Sequence, residues 1–209
     1  MLMKINHENG AMRYALGTGV LQALPAHASL VGRIAADWAM IESIFAGCLA
    51  TMMKADLEPS IALLKRFGTA TARAQAAREI AKVSLPELER ASFIKIVGEF
   101  ESLAKRRNDV VHAVWAISDD HPGELLRMSD AIFATFPLVA VRSQLLGQPI
   151  EEELNTLEST LVPIAELESL IDDLRAFSLK IMPILTEGAK AFALREVQAG
   201  RIAEGVTLT

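Results

Sequence analysis

Apolar residues recur every three or four positions over much of this chain, the period of an amphipathic helix. The clearest run is Leu30, Ile34, Trp38, Ile41, Phe45, Cys48 and Met52, which predicts a helix from about Ser29, a plausible N-cap, to Lys54. Pro59 can open a second helix carrying Ile61, Leu64 and Phe67, and the alanine-rich stretch through Ile80 extends it or follows a break near Gly68. Ser84-Leu85-Pro86-Glu87 has the form of a capping box ahead of a third long helix reaching about His112. The seam of that helix is Phe93, Ile96, Phe100, Leu103, Ala104, Val111 and Val114.

Beyond Trp115 the pattern changes. Ala116-Ile117-Ser118, the turn-forming run Asp119 to Gly123, and Glu124-Leu125-Leu126 predict two short strands in a hairpin over about residues 113–130. Residues 130–150 have no decisive period, and helix is expected again from about Glu151. Pro163 starts or kinks the last long helix, whose stripe is Ile164, Leu167, Ile171, Leu174, Ile181 and Leu185. The charges Glu166, Glu168, Asp172, Asp173 and Lys180 fall on its solvated side, and Gly188 is expected to end or bend it, leaving a marginal helix in the tail. Residues 1–28 carry little periodicity and read as an N-terminal arm, followed by a single helical domain over residues 29–209. The fold class expected is all-α, a helical bundle with a small hairpin after the third long helix.

Composition adjusts this picture little. Alanine and leucine outnumber valine and isoleucine, which favours helix. A 209-residue chain can bury a core without disulfides or metals. The single cysteine, Cys48, lies on an apolar stripe, which fits a small buried thiol and a reducing cytoplasm. No apolar run is expected to approach the roughly 20 residues that span a bilayer. Tyr14 to Leu24 followed by Ala26-His27-Ala28 has some features of a secretory signal, but Glu8 and two glycines oppose it, so an uncleaved arm is preferred. The net charge of −5 means that contact with nucleic acid would need a local basic patch.

Such a patch exists at Lys105-Arg106-Arg107, and chemistry follows at Asn108-Asp109-Val110-Val111-His112. On a helical wheel Arg107 lies about 20° from Phe100, in the middle of the apolar seam, where an unpaired charge is costly. His112 is about 140° round from Arg107, whereas Asn108 and His112 share a face at i,i+4, so the amide could orient the imidazole. An undistorted helix does not bring the arginine and histidine tips together. A second copy of the chain or altered geometry at the helix end would help. Arginine grips phosphate and histidine moves protons near neutral pH, so the pair suggests phosphate-ester chemistry. Two plainer readings stand beside it: cations favouring a helix C-terminus, and a structural ion pair between Arg107 and Glu42 in a helical scaffold.

The run Arg107-Asn108-x-x-x-His112, late in a long helix of a four-helix layout over about residues 29–187, resembles the Arg-x(4–6)-His signature of HEPN domains. The resemblance implies an up-and-down bundle, a homodimer with both motifs in one cleft, and metal-independent endoribonuclease activity yielding a 2′,3′-cyclic phosphate. It also implies, for other members, a non-catalytic nucleotide- or partner-binding role, as in toxin–antitoxin or phage-defence systems. In these terms Arg107, His112 and Asn108 would be catalytic, Lys105 and Arg106 would bind RNA, and Glu42, Asp109 and Trp115 would support the site. No metal and no cofactor is expected. Val114 stands where one toxin subgroup carries tyrosine, which sets this chain apart from that subgroup.

The remaining candidates are plainer. His7, His27 and His121 have no metal-ligand spacing with one another or with Cys48, and His121 beside Pro122-Gly123 reads as a turn residue. Gly17-Thr18-Gly19 lacks the rest of a dinucleotide fingerprint, and Trp38 and Trp115 read as core.

Overall fold

A computed structural model describes residues 2–6, 12–17, 19–128 and 159–198. In chain order the elements are β1 Leu2–Asn6, β2 Met12–Gly17, α1 Val20–Ala23, α2 Pro25–Met53, α3 Leu57–Lys65, α4 Ala70–Ser84 and α5 Glu87–Val111, followed by β3 Val114–Ser118, β4 His121–Met128, β5 Ser159–Val162 and α6 Ile164–Gln198. The chain is mostly helical, as expected. It divides into two compact units. The first takes the residues up to Ala35 together with Arg107–Ile171, and the second takes Ala36–Arg106 together with the residues from Asp172 on.

The first unit is built on a sheet. The expected hairpin is present as β3 and β4, but it is the middle of a five-stranded antiparallel meander, β1-β2-β3-β4-β5. The segment read as an arm supplies β1, β2 and α1, and Ala15 and Leu16 of β2 pair with Ile117 and Ala116 of β3. Strand β3 does not alternate because both of its faces are covered: Val114, Trp115, Ala116 and Ser118 are all buried. The β3–β4 turn is Asp119-Asp120, and the Ser118 hydroxyl accepts a hydrogen bond from the Asp120 backbone N–H at 3.1 Å. The register then slips, so that Ile117 faces the stretch Pro122–Leu125. Gly123 sits there at φ 80°, a left-handed conformation that a side chain would strain. Strand β5 occupies residues 159–162, where helix was expected; the rest of that expected helix, and the ambiguous stretch 130–150, lie outside the described residues.

The second unit is helical and holds an aromatic cluster. Phe100 of α5 stacks on Phe45 of α2 with ring centres 4.2 Å apart and on Trp38 at 5.0 Å, and meets Phe177 of α6 at 6.4 Å. Phe93 extends the stack through Phe45 at 6.3 Å. Trp38, Phe45, Phe93 and Phe100 are stripe positions read from the sequence, and Phe177, three residues after Leu174 and four before Ile181, joins the stripe of α6. Helix α4 presents only Ala74, Ala77 and Ala81 to the core, which lets backbones approach closely. Its N-cap is Thr69, whose hydroxyl accepts from the Ala72 N–H at 3.1 Å, so the break near Gly68 is real and separates α3 from α4.

Several boundaries differ from those the sequence suggests. Helix α2 begins at Pro25, four residues before Ser29, because proline's missing N–H costs nothing in a first turn. It closes after Met53, with Lys54 in a left-handed conformation at φ 53°. Ser84 ends α4 instead of capping α5, and the Glu87 carboxylate pairs with Arg90 instead of reaching back. By length and composition α2 does pass as a membrane-crossing helix, contrary to expectation, although most of its apolar window is buried in the fold.

Gly188 does not end its helix, since α6 runs on to Gln198. Its role is a close approach to Thr51 of α2 within the second unit. A Cβ there would overlap the Thr51 side chain, which is buried and fixed by its own hydrogen bond to the Cys48 carbonyl at 2.8 Å. Gly98 of α5, by contrast, has nothing within 4 Å of a built Cβ. Two glycine-to-alanine changes in helices should therefore have opposite signs. In urea denaturation, Gly188→Ala is expected to lose about 1–3 kcal/mol through overpacking, and Gly98→Ala to gain up to about 1 kcal/mol through helix propensity.

Candidate functional site

The candidate chemistry sits where α5 gives way to β3, in the first unit. Helix α5 closes with the His112 N–H on the Asn108 carbonyl at 3.1 Å and a looser bond from Ala113 N–H to Val110 at 3.4 Å. His112 is thus the first residue beyond the helix, and its ring is exposed. Arg107 is half-buried with its Nε enclosed, while Asn108 is exposed.

The three groups come together within one chain. Arg107 Nη1 donates to Asn108 Oδ1 at 2.8 Å and lies 3.3 Å from His112 Nε2. No second copy is needed for that meeting, because the long arginine side chain reaches a ring placed at the end of the helix. Guanidinium has donors only, so the contact is a hydrogen bond when Nε2 offers its lone pair and Nδ1 carries the ring proton. The amide bonds the arginine, not the imidazole as its i,i+4 spacing suggested. Arg107 Nε is buried and has no hydrogen-bond partner among the described residues, an omission worth about 1–3 kcal/mol. The guanidinium is therefore incompletely satisfied in this pose.

Other expected site residues divide clearly. Asp109 is exposed, and Trp115 is buried as a core residue of β3. In the second unit, Lys105 is exposed, and Arg106 Nη1 is held by Asp173 Oδ2 at 2.6 Å. Asp173 belongs to the charges read as a plain solvated face, and its 67-residue separation from Arg106 left no local signal of the pairing. Glu42, considered as a partner for Arg107, instead bonds Arg73 of α4. Near Arg106 and Asp173, a groove of about 370 Å³ between α5 and α6 is also bordered by the pair Glu99 and Lys180, 2.5 Å apart.

Among the described residues, no group of three or more histidines, cysteines or acids is placed to hold a metal ion. His121 opens β4 beside the hairpin turn and is exposed. His27 lies in the first turn of α2, is buried, and titrates below the usual histidine range because burial disfavours its charged form, an effect that Glu124 partly offsets. The Cys48 thiol is pushed up to about 12 by burial and lies 3.7 Å from the Ile181 carbonyl. No protein-family model, no curated protein and no solved structure matches this chain.

Both displaced titrations have consequences. His27 has its folded value lowered, so the unfolded chain binds the proton first. Stability is complete above the ordinary value of 6.5 and falls as pH drops through it. Urea midpoints at pH 7.5 and about 5.5 should show that loss in the native sequence and a smaller loss in His27→Leu. Cys48 should resist a thiol-specific reagent at about pH 8 in the folded protein, where on the order of one thiol in ten thousand is ionised, and react stoichiometrically in denaturant.

Proposed function

We propose that this chain is an HEPN-like endoribonuclease of up-and-down helical-bundle type, acting without a metal ion, with Arg107 and His112 as its working pair. The observation that carries the reading is the 3.3 Å approach of Arg107 Nη1 to His112 Nε2 at the accessible end of α5. RNA brings its own nucleophile, the 2′-hydroxyl. His112 Nε2 takes the proton from that hydroxyl as it attacks the adjacent phosphorus, and the protonated ring is then an acid for the departing 5′ oxygen. Arg107 moves from the ring to a non-bridging phosphate oxygen and offsets the charge that builds there. The products are a 2′,3′-cyclic phosphate and a 5′-hydroxyl. Asn108 holds the guanidinium ready, and Lys105 assists RNA attraction. In a homodimer, two such pairs would share a cleft and double the local positive charge.

A second reading, a non-catalytic HEPN-like module that binds a nucleotide or a protein partner, as in toxin–antitoxin or phage-defence systems, draws on the charge balance. The chain carries −5 overall, and Arg106, one of the three adjacent cations, is tied to Asp173. That leaves less attraction for a long polyanion than the sequence suggests.

Cleavage of RNA by purified protein separates the two. His112→Ala is expected to reduce cleavage by at least about 100-fold, with the helical circular-dichroism spectrum and melting temperature unchanged because the ring is exposed. Chelator should leave the native rate unaltered. A His112→Ala protein as active as the native one would defeat the nuclease reading, and RNA binding without cleavage would favour the binding module.

A further inference from the structure

The resting partners of Arg107 decide how an anion can enter. Its Nη1 is engaged by Asn108 Oδ1 and His112 Nε2, and its Nε has no partner among the described residues. An incoming oxyanion is a stronger acceptor than either neutral group and matches the planar guanidinium fork. Once Arg107 turns to the anion, His112 Nε2 loses its donor and faces a negative oxygen. A lone pair facing an oxyanion is repulsive; an N–H facing it is a charge-assisted hydrogen bond. The ring resolves the conflict by accepting a proton from solvent, and imidazole is the side chain best suited to do so near neutral pH.

We infer that Arg107, Asn108 and His112 form a proton-coupled oxyanion site, in which binding of a phosphodiester or similar tetrahedral anion displaces the arginine–imidazole contact and loads one proton onto His112. The inference rests on the reading of this pair as a phosphate site and adds how that site is regulated: occupancy rises as pH falls. Among the described residues, Arg107 is the charged group recorded against the ring. On the same helix Asp109 is three residues back and exposed, and the strand that follows opens with Val114 and Trp115, which do not titrate. The coupling sets tight binding against the first catalytic step. A ring that has taken a solvent proton cannot accept the one from the 2′-hydroxyl, so that proton must leave before attack, and cleavage falls at low pH where occupancy is highest.

Inorganic sulfate is the suitable probe, since it stays a dianion throughout the range. Sulfate affinity of the full chain would be measured by titration calorimetry from about pH 8 to pH 6 at fixed ionic strength, in two buffers of different ionisation heat. The native protein should bind more tightly by up to about tenfold per pH unit on going down, with up to one proton taken up per sulfate. His112→Gln keeps an acceptor for Arg107 but cannot gain a proton; it should bind with no pH slope and no proton uptake. Arg107→Ala should not bind. Absence of native binding at about 10 mM sulfate, a pH-independent native affinity, or an undiminished slope in His112→Gln would each overturn the inference. RNA cleavage measured on the same preparations distinguishes the two failures. Proton-coupled sulfate binding without cleavage removes only the nuclease reading, and cleavage with uncoupled sulfate binding removes only this one.

Discussion

A guanidinium cannot discharge itself, so a fold that half-buries one must find acceptors for it. The end of α5 meets that constraint in two ways on neighbouring residues. Arg106 is given a carboxylate, Asp173, and its charge is locally cancelled. Arg107 is given an amide oxygen and an imidazole nitrogen. Neutral acceptors satisfy donors without cancelling charge, so Arg107 keeps its attraction for an anion while its conformation is held. Acid partners recur in the second unit, where Arg73 and Arg78 are paired with Glu42 and Glu101. Arginines given acids serve the architecture. The one given an imidazole is the one on which the proposed chemistry depends.

The helical part of the fold was legible because its signal is local and repeated. Trp38, Phe45, Phe93, Phe100 and Phe177 are spaced so that each falls on the buried stripe of its own helix, and the ring contacts follow from those stripes meeting. The sheet was legible only where two strands adjoin in sequence. The β3–β4 hairpin declares itself through its turn, whereas β2 reaches β3 across about a hundred residues of intervening helix, through pairs such as Leu16 with Ala116. A pairing of that separation leaves no pattern in either segment. Strand β3 compounds the difficulty, since burial on both faces removes the alternation that identifies a strand.

Local motifs misled where two outcomes share one sequence. Ser84-Leu85-Pro86-Glu87 reads as a cap before a helix, yet a serine is equally able to finish the helix before it, and Pro86 fits the position just ahead of the first turn of α5. Gly188 reads as a terminator, yet the absence of a side chain also lets Thr51 approach, and a Cβ there would overlap it. At the candidate site the sequence pointed to Arg107, Asn108 and His112, which the structure brings within hydrogen-bonding distance. What it could not supply was which acceptor each donor chooses. The i,i+4 rule joins Asn108 to His112 on a regular helix, but the helix stops at Val111, and the most reaching side chain in the set gathers the other two.

Charge sets the remaining condition on any nucleic-acid role. Each phosphate contact to a single strand contributes a slope of about 0.7 to the fall of log affinity with log salt. With Arg106 engaged by Asp173, the adjacent basic run offers Lys105 and Arg107 as cations without an acid on them among the described residues. Two such contacts on a chain of net charge −5 would give only weak, shallow-sloped attraction for RNA. A single copy would therefore bind a phosphodiester by geometry at one locus and not by a long electrostatic track. A homodimer changes the arithmetic by placing a second set of cations on the same strand, which raises affinity without adding any cation to the sequence. The weakness of the single patch is thus a physical reason for the proposed site to work in pairs, independent of whether one chain can assemble the arginine and imidazole by itself.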